Sequence, residues 1–128
     1  MTPARQAFEY AVLRAVPRVD RGEFVNVGVV LYCQATDFLG ARSHIDPARL
    51  RALDDAVDLP ALDATLAAVA AMCAGEASAG PVGEQPPGAR FRWLAAPRST
   101  VVQAGPVHAG MTEDPARELD RLFDLLVR

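Results

Sequence analysis

An arginine, an amide and an imidazole gathered around a strand glycine can hold a carboxylate or a phosphate, and the N-terminal third of the chain supplies such a set. Residues 24–33 (Phe-Val-Asn-Val-Gly-Val-Val-Leu-Tyr-Cys) carry the strongest strand signal in the sequence, dense in β-branched and aromatic side chains. Side chains alternate across a strand. Val25, Val27, Val29, Leu31 and Cys33 therefore share one aliphatic face, and Phe24, Asn26, Gly28, Val30 and Tyr32 share the other. A preceding strand over residues 10–16 puts Leu13 with the core and Arg14 with Asn26, the only asparagine in the chain. A hairpin turning near Asp20 sets Arg14 opposite Asn26. A second turn near Ala35, leading into a strand over 38–45, sets His44 near Asn26 and Arg42 near Gly28. Arg14, Asn26, Gly28, Arg42 and His44 form the first candidate site. The alternative is a polar sheet face meeting solvent or a covering helix, with Gly28 as a bulge or close-packing glycine.

A second constellation is Arg90, Arg92, Trp93, Arg98, Ser99 and Thr100. Arginine interleaved with aromatics stacks on planar groups or clamps anions, and Arg98-Ser99-Thr100 adds two hydroxyls. The alternative here is a turn entering an edge strand after Pro97, with Trp93 plugging the core. Catalytic patterns are absent. Ser99 with His44 or His108 lacks a nucleophile-elbow glycine pattern, Cys33 and Cys73 both fall on apolar faces, and no carboxylate set has metal spacing. No cofactor and no metal is expected, and the enzyme question leans to no.

The elements that must position these residues imply an α+β fold: a small antiparallel sheet of about four strands with about three helices on one face. The strands occupy about 8–45. Helices follow at about 47–75, where Asp46-Pro47 and Asp58 are N-cap signals and Gly75 a stop. Residues 76–89 have loop composition. A strand at 101–103 and a closing helix after Asp114-Pro115 fill about 90–128, with Leu119, Leu122, Phe123 and Leu126 on the buried face. The chain of 128 residues reads as one domain.

Composition narrows the function. Hydrophobic residues make up 51% and charged residues 23%, and the net charge of -3 disfavours nucleic acid as a partner. All 13 basic residues are arginine, which removes Schiff-base chemistry and the P-loop lysine. With two cysteines, no apolar leader and no apolar run of about 20 residues, a soluble cytoplasmic protein is expected.

The run Tyr10-Ala-Val-Leu-Arg14, the block Arg21-Gly-Glu-Phe-Val-Asn-Val-Gly-Val-Val-Leu31 and the later run Phe91-Arg-Trp-Leu-Ala-Ala-Pro-Arg-Ser-Thr100, followed by Pro106-Val-His108, resemble the bacterial family catalogued as "domain of unknown function 3037". The resemblance draws attention to Arg14, Gly22, Glu23, Asn26, Gly28, Arg98, Ser99, Thr100 and His108. It carries no chemistry, but members are often encoded beside kinases resembling HipA. It therefore implies a non-catalytic accessory or protein-interaction domain, with such a kinase as candidate partner and homo-oligomerisation left open. The alternative is a module, or cryptic enzyme, that binds a small anion through arginines on the exposed sheet face.

Overall fold

In the computed structural model, which describes residues 4–98 and 100–128, five strands and four α-helices follow the order β1 (Gln6–Ala15), β2 (Val25–Cys33), β3 (Phe38–Ser43), α1 (Pro47–Leu53), α2 (Leu59–Ala74), α3 (Pro87–Ala95), β4 (Val102–Ala104), β5 (His108–Thr112) and α4 (Pro115–Leu126). The fold is α+β with an all-antiparallel sheet. Its order is β3-β2-β1, and β4 and β5 lie end to end along the outer edge of β1.

The helices start where their caps allow. Asp46 accepts from the backbone N–H groups of Ala48 and Arg49, Asp58 from Ala61 and Asp114 from Arg117. Each cap is followed by proline within the first turn, where the missing N–H costs nothing. Gly75 ends α2 in the left-handed region (φ 68°), donating back to Ala71 and Met72 as a residue without Cβ does most easily.

The hairpin register places Arg14 opposite Asn26, as the turn near Asp20 requires. One step further Leu13 pairs with Gly28, so Val27 is an extra, bulged residue. The bulge exchanges the faces of β2, and the expected single aliphatic face is thereby split. Val25, Val27 and Val30 join Ala11, Leu13 and Ala15 beneath α1–α3, where Leu50, Leu62, Leu66, Met72, Phe91 and Leu94 complete the core. Val29, Leu31 and Cys33 join Phe8 on the opposite side, against Leu119, Leu122, Phe123 and Val127 of the α4 region. Three helices thus cover one face and α4 covers the other.

Two elements differ from the sequence expectation. Part of the presumed loop and the arginine-rich run that follows it form α3, which opens on Pro87 and buries Phe91 and Leu94. Phe91 stacks on Tyr32 at 5.7 Å between ring centroids. The fifth strand, β5, pairs Gln6 with Thr112 through Tyr10 with His108. No helix among the described residues is long and apolar enough to cross a membrane.

Candidate functional site

The Arg14–Asn26 row exists, but it is not an exposed sheet face: α4 lies over it. Asn26 Nδ2 donates to the Leu126 carbonyl at 3.1 Å, which ties β2 to the end of α4. The Arg14 guanidinium carbon lies 4.3 Å from the centre of the Phe24 ring. On another side it lies against Gly105, where an added Cβ would sit 3.0 Å from that carbon. The Gly105 N–H, in turn, donates to Val12 O at 2.8 Å. A side chain at position 105 would therefore press on the guanidinium, which would have to shift by a few tenths of an ångström. Two buried polar atoms here lack a hydrogen-bond partner among the described residues, the donor Arg14 Nε and the acceptor Asn26 Oδ1.

Gly28 and Arg42 do not meet as expected. The β2–β3 loop runs through a 3-10 turn (Gln34–Thr36) and Asp37 in the left-handed region (φ 51°), and it pairs Cys33 with Phe38. That register sets Arg42 opposite Val29, and Gly28 opposite Ser43. A one-residue slip reverses the face a side chain uses, and Arg42 accordingly turns to α4. It bonds Asp120 Oδ1 at 2.9 Å and lies 4.3 Å over the Phe123 ring. Gly28 is a packing glycine rather than a ligand floor, because a Cβ there would meet the Arg42 carbonyl at 2.9 Å and Leu13 Cδ1 at 3.3 Å. His44 is exposed and contributes its backbone N–H to Val27 O at 2.8 Å. His108 is exposed on β5, its ring 5.2 Å from that of Tyr10.

The second constellation lies on the other side of the sheet. Arg98 donates to the carbonyls of Trp93 at 2.6 Å and Leu94 at 3.3 Å, closing the end of α3, and stacks 4.2 Å over the Trp93 ring. Thr100 donates its hydroxyl to Val102 O at 2.8 Å. Ser99 lies outside the described residues. Arg90 caps α2 in the same manner, donating to Met72 O and Cys73 O, both at 2.8 Å. Arg92 pairs with Glu9 at 2.6 Å, and its hydrogen bonds hold that carboxyl below its ordinary value. Arg98 lines a cavity with Leu13 and Ala104, on the α1–α3 side, whereas Arg14 faces the α4 side. The two constellations therefore do not form one site, because adjacent residues of β1 point to opposite faces.

Sequence reasoning missed the rest of this cavity, since Thr65, Val69, Met72 and Ser78 reach it only once α3 docks beside α2. The thiols offer little reactivity. Cys33 is fully buried, and burial pushes the Cys73 thiol up to about 11. Iodoacetamide labelling of Cys73 at pH 8 should be roughly a hundredfold slower in the native protein than after unfolding, following its thiolate fraction. Equal rates in a mass-spectrometric time course would contradict that burial.

Fold and sites together define a small antiparallel α+β domain with its candidate residues divided between two faces of one sheet. The chain belongs to the family described as protein of unknown function (DUF3037), whose model matches residues 10–127. No curated protein and no solved structure shows significant similarity to it.

Proposed function

We propose that this chain is a non-catalytic accessory domain of the cytoplasm that docks a partner protein, a kinase resembling HipA being the partner the family resemblance suggests. The observation that supports this reading is the outer edge of the sheet. Val101, Val107 and Met111, each 43–50% exposed, fall along the segment that carries β4 and β5, and no further strand pairs with it among the described residues. An unpaired edge bearing apolar side chains is a surface on which another chain can add main-chain hydrogen bonds and bury area.

Co-expression with a kinase resembling HipA should give one complex on size-exclusion chromatography. Met111→Lys and Val107→Lys should each weaken it by about tenfold or more, since an unpaired charge in an apolar interface costs more than the roughly 1.4 kcal/mol a tenfold change represents. Melting temperatures should hold, because both side chains are exposed. Separate elution of the two proteins would overturn the reading.

A second reading, a small anion bound at Arg14, is favoured by the unpartnered Arg14 Nε and Asn26 Oδ1. Calorimetric titration of phosphate, nucleotides and short acidic peptides into wild type and Arg14→Ala separates the two readings, heat that disappears in the variant supporting the anion.

A further inference from the structure

The cavity between α2, α3 and the β1–β4 pair has a volume of about 270 Å³. Protein interiors rarely leave room for more than a water molecule, and an apolar cavity of roughly 150 Å³ already takes up benzene. Most of the wall is hydrocarbon, from Leu13, Val69, Met72, Leu94, Val102 and Ala104. Thr65, Trp93 and Thr100 also line it and are exposed, which marks the side open to solvent.

Arg98 lies at that cavity with an uncompensated charge. Six other arginines, Arg18, Arg21, Arg42, Arg92, Arg121 and Arg128, have carboxylate partners. Arg98 has none within 4.0 Å among the described residues; two backbone carbonyls and the Trp93 ring hold it instead. Carbonyls fix a guanidinium without cancelling its charge, and the two hydrogen bonds leave three of its five N–H donors without a partner among the described residues. The hydroxyls of Thr65 and Thr100 already donate to the Ala61 and Val102 carbonyls, so their oxygens remain as acceptors. The site thus combines an apolar chamber with one oriented cation, the arrangement of pockets that recognise amphipathic anions.

We propose that this cavity binds a small carboxylate of about ten non-hydrogen atoms in all, its apolar body replacing void against Val69, Met72 and Val102 and its carboxylate bonding Arg98. The site lies on the opposite face of the sheet from Arg14; it shares β4 with the docking edge through Val102 and Ala104, but the exposed Val101, Val107 and Met111 side chains of that edge do not line it.

Trp93 is the only tryptophan in the chain, so its emission reports occupancy directly. Octanoate, below its micellar concentration, should change Trp93 fluorescence saturably. Octanol, with the same chain and no charge, should bind at least tenfold more weakly. Arg98→Gln should reduce octanoate affinity at least tenfold and leave octanol unchanged. Ala104→Leu, which fills the chamber without touching the guanidinium anchors, should abolish binding of both while retaining the wild-type melting temperature or raising it. Should Arg98→Gln fail to fold, the octanoate–octanol ratio on wild type and the Ala104→Leu result still decide. No saturable change with octanoate, equal affinity for octanol, or undiminished octanoate binding in Ala104→Leu would overturn the proposal.

Discussion

Phe91→Ala is expected to lower the unfolding free energy by about 3–5 kcal/mol, the range for truncating a large buried aromatic. Phe91 has no exposed surface and belongs to the core beneath α1–α3. Truncation leaves a void beside Tyr32 and removes the ring stacking at 5.7 Å. It also deprives α3, a helix of nine residues without a side-chain N-cap, of one of its two buried anchors. Urea denaturation followed by circular dichroism measures the loss, and a fall below about 1 kcal/mol would mean that α3 is not docked on the sheet.

Leu66→Ala in α2 and Leu122→Ala in α4 should each cost about 2–5 kcal/mol, and the double variant should cost their sum to within about 0.5 kcal/mol. Both leucines are at most 5% exposed, yet they belong to different clusters with the sheet between them. Side chains without shared partners are thermodynamically independent when the layer separating them does not move. A coupling energy above about 1 kcal/mol in the denaturant cycle would show that the sheet relaxes as either layer is thinned.

Legibility in the sequence followed the strength of local signals. The proline-marked helix starts were plain, because Asp46-Pro47, Asp58-Leu59-Pro60 and Asp114-Pro115 each pair a capping carboxylate with a residue suited to the first turn. The Arg14–Asn26 pairing was also readable, since a turn near Asp20 fixes it without knowledge of anything distant. The bulge at Val27 has no local mark: valine is an ordinary strand residue, and only register reveals that it is supernumerary. The position of Arg42 was misplaced by one residue because the 3-10 turn with left-handed Asp37 centres the loop between Ala35 and Thr36. Helix α3 was hidden by Pro86, Pro87 and Gly88, whose loop propensity is overridden by the burial of Phe91 and Leu94. Strand β5 was hidden by Ala109 and Gly110, poor strand formers that are held by pairing with β1. The cavity at Arg98 depends on α2, α3 and β4 meeting, and no short window of sequence contains all three.

The pairing of β1 with β5 joins Gln6 to Thr112, and this sets an order of events during synthesis. The β1–β2–β3 meander is local and can form as soon as residues 6–43 leave the ribosome. Its free β1 edge, and the face bearing Phe8, Val29 and Leu31, then wait for residues 102–126 to supply β4, β5 and α4. For most of its translation the nascent chain therefore displays a bare strand edge beside an uncovered aliphatic surface, the combination that invites pairing between neighbouring nascent chains. Slow translation through residues 44–101 would lengthen that exposure, so the yield of soluble protein should depend on codon speed and chaperone supply in this middle stretch more than on the stability of the finished fold.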